Sequence, residues 1–201
     1  MRIVGGRHRG RRIAAPPGEE IRPTSDRARE AVFNILAHGG YGVGGASAVA
    51  GAVVLDAFCG TGAMGLEALS RGAAQAILID NEPRALVAAR ANVAALKEQA
   101  NARVAAADAT RPPPRPKDQP PATLAFFDPP YKSDLAATAL AAFAAAGWLA
   151  PGALCVVEEA SRGPELAPPP GFELLETRRY GAARIALLRY EGEAAHDNSA
   201  A

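Results

Sequence analysis

The sequence predicts an α/β protein: a mostly parallel sheet with helices on both faces, closed by an antiparallel C-terminal hairpin. Three observations predict it. Short apolar runs alternate with helical stretches through residues 52–158, the pattern of strand–helix–strand units. The first run leads directly into Gly60-x-Gly62-x-x-Gly65, a turn between strand and helix. The chain then ends in two β-rich stretches joined at Gly181-Ala182. A length of 201 residues fits one such domain, and a chain of this size buries about 70% of its unfolded surface without a disulfide or metal staple.

Taken in order, Ile3-Val4 and Ile13 flank Gly5-Gly6 and read as two short strands around a glycine turn. Thr24 or Ser25 can cap a helix that runs through Leu36, with Ala31, Val32, Ile35 and Leu36 on its apolar side. Residues 39–51 are a Gly/Ala/Ser linker without periodicity. Val53-Val54-Leu55 suits a strand buried on both faces. Residues 63–70 read as a helix and 76–79 as a second buried strand; residues 83–96 form a helix with Pro83 in its first turn. Residues 104–107 are a weak third strand. The stretch 110–121 (TRPPPRPKDQPP) excludes helix and central strand, so it is an exposed loop. A fourth strand at 123–127, a helix at 133–148 and a fifth strand at 153–158 follow, then hairpin strands at 172–180 and 184–190. Residues 191–201 are a polar, disordered tail. The organisation is thus a basic hairpin and helix (1–38), a glycine-rich linker (39–51), the α/β domain (52–190) and the tail.

Composition excludes several classes. A charged fraction of 21% with 49% hydrophobic residues is not that of a disordered chain. Cys59 and Cys155 stand apart, and His8, His38 and His196 are scattered, so no zinc spacing exists and no metal is expected. No apolar run reaches membrane-spanning length and the N-terminus lacks a signal sequence, which predicts a soluble, cytoplasmic protein. Nothing indicates an obligate interface, so a monomer is expected. The abundance of arginine over lysine and the alanine content, about a quarter of the chain, match GC-rich coding. Arginine position carries more than arginine number. Net charge is only +1, yet residues 1–12 hold Arg2, Arg7, Arg9, Arg11 and Arg12 with no acid. Such a run is either a solvated face or a nucleic-acid contact.

Chemistry concentrates at the carboxyl ends of the strands, where open α/β sheets bind their ligands. Gly60, Gly62 and Gly65 follow the strand end at Asp56 and let a ligand lie against the backbone. Asp80 ends the second strand twenty positions after Gly60, where an acid accepts hydrogen bonds from the ribose hydroxyls of an adenosine cofactor; Glu82 is the alternative. That pattern allows either a nicotinamide cofactor or S-adenosylmethionine. The fourth strand separates them, because it ends in Asp128-Pro129-Pro130-Tyr131. Two prolines remove two N–H donors, leaving carbonyl acceptors beside a carboxylate and an aromatic face. Acceptors plus a stacking ring suit an exocyclic amine on a planar base, extruded from its stack when the substrate is structured. Holding its N–H bonds stabilises the charge that develops as a methyl group arrives.

Asp128-Pro129-Pro130-Tyr131 matches the (D/N)PP(Y/F/W) signature of S-adenosylmethionine-dependent amino-group methyltransferases. The wider chain resembles one family among them, the bacterial RsmD-type 16S rRNA guanine-N2 methyltransferases. The matching pieces are Arg2 to Gly6 with Arg9-Gly10-Arg11, Arg22-Pro23-Thr24, Arg29 to Leu36, Asp56 to Ala73, and Tyr180-Gly181. The resemblance implies a Rossmann-like class I methyltransferase fold of seven strands with a small N-terminal extension. It implies that Asp56, Phe58, Gly60, Thr61 and Gly62 line the methionine part of S-adenosylmethionine, and that Asp80 and Asn81 face the ribose. Asp108 would hold the adenine amine, and Arg22 and Thr24 would lie at the mouth of the site. Asp128, Pro129, Pro130 and Tyr131 would present the guanine. Arg2, Arg7, Arg9, Arg11 and Arg12 would meet phosphates of 16S rRNA, free or in an assembling small subunit, each contact adding about 0.7–0.9 to the salt slope of binding. Cys59 and Thr61 depart from the family's common alanine and serine, and the proline-rich loop replaces a segment that is helical in many relatives. An N6-adenine methyltransferase on DNA or RNA fits the same acceptor geometry. A nicotinamide oxidoreductase has only the glycine spacing for it, and an RNA-binding module with a dead cofactor site only the basic arm.

Overall fold

A computed structural model describes residues 1–14, 26–130, 135–162 and 164–192. Helix α1 spans Asp26–His38, and strand β1 (Val53–Ala57) enters the sheet after the linker. Helix α2 (Ala63–Ser70), strand β2 (Gln75–Asp80), helix α3 (Pro83–Leu96), strand β3 (Ala102–Ala106) and strand β4 (Ala122–Phe127) follow. Helix α4 (Leu135–Ala145), strand β5 (Leu149–Ala160), strand β6 (Phe172–Tyr180) and strand β7 (Ala183–Tyr190) complete the sheet. The seven strands lie in the order β3-β2-β1-β4-β5-β7-β6. β1 to β5 pair in parallel, and β7 runs antiparallel to both β5 and β6. The expected architecture is the observed one.

The central strands are buried on both faces, which is why they read as unbroken apolar runs. On one face Val54, Leu78, Leu124 and Phe126 pack with Leu66 and Leu69 of α2 and Phe33 and Leu36 of α1. On the other, Leu55, Ile77 and Phe127 pack with Leu140 and Phe143 of α4 and with Trp148. At about 25 cal/mol per Å² of apolar surface, these two layers supply the main favourable term for folding.

Several boundaries differ from expectation for physical reasons. The Pro151-Gly152 pair does not start β5; a register shift between Ala122 and Leu124 accommodates it and lets Leu149 pair with Ala122. The linker is docked rather than loose, because Val49 is buried in the first layer and Ala48 N donates to Leu36 O at 2.9 Å. The proline-rich loop has no regular structure but is pinned to the sheet. Trp148 Nε1 donates to Pro113 O at 2.8 Å, Arg115 Nε to Gly147 O at 2.6 Å, and the buried Gln119 donates to Gln75 Oε1 at 2.8 Å. The predicted caps Thr24 and Ser25, the start of the fourth helix at 133–134 and the tail from 193 lie outside the described residues.

The N-terminal arm forms one antiparallel bridge, Arg2 to Arg12, instead of two paired strands, with a 3-10 turn at Gly6–His8. Its backbone is diverted to a buried carboxylate. Glu67, fully buried on α2, accepts from Val4 N and Gly5 N, both at 2.8 Å, and from Arg71 Nε at 2.7 Å. Arg29 of α1, also buried, lies 3.6 Å from Glu67 and bonds the Arg2 carbonyl and, at 2.9 Å, Asp26. Ile3 and Ile13 complete the join by sinking into the first core layer. The arm is therefore part of the core. Removing one partner of a buried pair leaves the other charge uncompensated, at a cost of about 3–5 kcal/mol. Glu67→Ala is expected to lower the urea midpoint accordingly and to expose residues 1–12 to proteolysis; Glu67→Gln, which keeps an acceptor, is expected to lose less.

Candidate active site

The parallel strands deliver their carboxyl ends to one edge, and each of five neighbours brings an acid there. In sheet order these are Asp108 after β3, Asp80 ending β2, Asp56 in β1, Asp128 after β4, and Glu158 in β5. Asp56 pairs in register with Phe126, two residues before Asp128.

The turn after β1 is shaped for a close approach. Phe58 has φ +62°, a left-handed conformation rare for an aromatic residue and usually retained where it serves a site. Gly60 has φ +54°, and a Cβ there would point into empty space, so the loop backbone borders an open cradle. Gly65 serves packing instead: a Cβ there would stand 2.3 Å from Leu78 Cδ2. Asp80 orients the turn by accepting Gly60 N at 2.8 Å through one oxygen, while the other accepts Glu82 N at 2.9 Å. Glu82 is the N-cap of α3, with Arg84 N at 3.4 Å, which leaves Asp80 as the acid at the cradle. On the far side of the turn, buried Asn92 donates to Thr61 O at 3.0 Å and to Ala14 O at 3.0 Å, and accepts Ala14 N at 2.8 Å. One amide thus ties the turn to the basic arm.

Asp56 is buried and accepts Gly65 N at 2.9 Å. Burial pushes its pKa to about 8; the Gly65 bond opposes the rise and the Asp80 charge adds to it. Asp128 is exposed to solvent as a residue, while its carboxyl group is desolvated by surrounding protein atoms. That desolvation first, then the charges of Glu158 and Asp56, raise its pKa well above its ordinary value. Asp108 is held low by the N–H and hydroxyl of Thr110, both 2.8 Å from one of its oxygens. Five acids at one edge make it a region where a cation would be stabilised.

The structure brings together Asp56, Phe58, Gly60, Gly62, Asp80, Asp128, Pro129 and Pro130, with Asn81 and Asp108 on the rim. The Thr61 hydroxyl turns away, 3.9 Å from Met1 Sδ, so only its backbone faces the turn. Tyr131, Arg22, Pro23 and Thr24 lie outside the described residues. The five arginines are not equivalent. Arg2 pairs with Asp26 at 3.1 Å, Arg7 with Glu98 at 2.6 Å, and Arg11 donates to Ala95 O at 2.8 Å. Arg9 and Arg12 are exposed and have no partner among the described residues. Glu67, Asn92 and Glu98, which hold the arm, were assigned no role from sequence; a lone acid inside an apolar helix face, as at Leu66-Glu67-Ala68-Leu69, is the signal that marks one of them.

A sheet in this order, with a glycine turn after β1, an acid ending β2 and Asp-Pro-Pro after β4, defines an enzyme of the Rossmann-like methyltransferase class. The family described as conserved hypothetical protein 95 matches residues 1–189, and the chain belongs to this RsmD-type family. Ribosomal RNA small subunit methyltransferase D of Escherichia coli (strain K12) is 35% identical over 200 residues, covering 100% of this chain and 94% of the relative. The protein of the same name from Haemophilus influenzae is 31% identical, covering 94% of this chain and 93% of the relative. The solved structure of the Escherichia coli chain yhhF superposes with a TM-score of 0.78 at 34% identity, covering 96% of this chain and 99% of that one. Among the described residues, no helix is long and apolar enough to cross a membrane, and no group of three or more His, Cys, Asp and Glu is placed to hold a metal.

Because the folded Asp56 titrates near 8 and the unfolded group near 4, its contribution to stability is full below about pH 4 and is lost as pH rises through 8. Wild type is therefore expected to lose stability relative to Asp56→Asn between pH 5 and 9, read from urea midpoints at each pH; parallel curves for the two proteins would contradict the burial argument.

Proposed function

We propose that this chain transfers a methyl group from S-adenosylmethionine to the exocyclic N2 amine of a guanine in small-subunit 16S rRNA, acting in the cytoplasm as a monomer on free RNA or an assembling particle. The observation that carries the reading is Asp128-Pro129-Pro130 at the same carboxyl-end edge of the sheet as the glycine turn and Asp80. Relatives named as ribosomal RNA small subunit methyltransferases, matched over nearly their full length, supply the substrate class.

The residues present fit the cofactor. The backbone at Gly60 borders open space, Asp80 is preset by two N–H bonds with lone pairs left for ribose hydroxyls, and Asp56 stands on the neighbouring strand, bonded to Gly65 N. Asp108, on the rim, suits an adenine amine. When bound, S-adenosylmethionine supplies an electrophilic methyl group on a positively charged sulfur. The chain's own part is then positioning and charge. Asp128 and the proline carbonyls accept the amine N–H bonds, which turns the nitrogen lone pair toward the methyl and stabilises the cation forming on N2. As the N–C bond forms and the sulfur–carbon bond breaks, N2 must shed one proton, and the raised pKa of Asp128 makes its carboxylate a competent acceptor. Tyr131 supplies the stacking face, and Arg9 and Arg12 the freest phosphate contacts.

Asp128→Ala is expected to lower methyl transfer about 10²–10³-fold with cofactor binding by calorimetry nearly unchanged. Asp128→Asn keeps a carbonyl acceptor and is expected to retain more activity. Wild-type rates should rise with pH as Asp128 ionises, and the Asn variant should lack that rise. Equal rates for Asp128→Ala and wild type would remove the proposal.

A further inference from the structure

The amine-binding residues explain how a nitrogen is held, but Asp128 and two proline carbonyls suit guanine N2 and adenine N6 alike. A second acid stands beside them. β4 and β5 are parallel neighbours in register, Phe126 with Val156 and Phe127 with Val157, so the next step places Asp128 beside Glu158. Val156 and Phe126 share the core layer on the α1 and α2 face. Strand alternation puts Glu158 on that same side, the side of Asp56. The next residue, Glu159, takes the opposite side and is held by buried Arg184 at 3.1 Å. Two consecutive glutamates thus lie on opposite faces of the sheet, and buried Glu158 is close enough for its charge to act on Asp128.

Roots on neighbouring strands, about 5 Å apart, allow two carboxylates to converge on two adjacent donors. Guanine presents such a pair on its Watson–Crick edge, N1–H next to N2–H₂. Adenine presents an amine next to an unprotonated N1, which a carboxylate repels.

Resting on the reading above, we infer that Glu158 is the specificity-determining residue of the site: it accepts guanine N1–H while Asp128 holds N2–H₂, and it rejects bases whose N1 carries no proton. The residue reads the base and takes no part in the methyl transfer itself.

The test uses full-length enzyme and an undermodified small-subunit rRNA fragment carrying, at the methylated position, guanine or 2,6-diaminopurine. The analogue keeps the N2 amine but has an unprotonated N1. Wild type is expected to favour guanine by about a hundredfold in kcat/KM. Glu158→Gln, whose amide can donate to N1, is expected to shrink that ratio to tenfold or less, and Glu158→Asp to retain most of it. The ratio is measured within each variant, so a loss of folded protein does not move it. An unchanged ratio in Glu158→Gln would overturn the inference and show that the acid acts only through the charge of Asp128. A wild type that methylates both bases equally would overturn it as well. A wild type that leaves guanine N2 unmethylated would remove the underlying reading too.

Discussion

Five neighbouring parallel strands each bring a carboxylate to the same edge, and the rest of the molecule is organised around that accumulation of like charge. Asp108, Asp80, Asp56, Asp128 and Glu158 follow the sheet order strand by strand. The fold accommodates them in two ways. At the outer positions, backbone and hydroxyl donors satisfy the carboxylates: Thr110 for Asp108, Gly60 and Glu82 for Asp80. At the centre, burial raises the pKa values of Asp56 and Asp128, which makes their charged forms the costly ones. A ligand with a positive centre relieves that cost. A cofactor that enters as a sulfonium and leaves as a neutral thioether would lose this attraction on reaction, so the same electrostatics that favour loading would favour release of product.

The basic arm belongs to this arrangement rather than lying beside it. Glu67 takes up its backbone, Glu98 its Arg7 and His8, and Asn92 its end at Ala14. Asn92 also holds Thr61, the centre of the glycine turn. Anything that pulls on the arm therefore acts on the loop that would carry the cofactor. Anchoring consumes part of the charge that the sequence places in the arm. Arg7 is neutralised by Glu98 and Arg2 by Asp26, whereas exposed Arg9 and Arg12 have no ion pair among the described residues.

The fold was legible because each central strand is buried on both faces and must be apolar throughout, and because glycine and proline mark the turns between them. The core of the site was legible for a related reason: ligands sit at the carboxyl ends of such strands, so an acid or a proline pair there stands out from the apolar run before it. What escaped were side chains whose importance depends on tertiary contact. The apolar neighbours of Glu67 mark it as an unusual helix acid, but its partners Arg29, Val4 and Gly5 are distant in sequence and only the fold brings them around it. Glu158 and Glu159 are indistinguishable in sequence and are separated only by which face of β5 each occupies. The proline-rich loop reads as free because proline excludes regular structure, but Arg115, Gln119 and Trp148 fix it without any.

The net charge of +1 conceals an acidic edge and a basic arm held a short distance apart. The proposed site for a cationic cofactor next to a proposed contact for a polyanion would account for both. The most direct measurement is nucleoside analysis of undermodified small-subunit rRNA after incubation with the purified chain and labelled S-adenosylmethionine. The account predicts label in N2-methylguanosine; label in N6-methyladenosine, or no label in RNA, would contradict it.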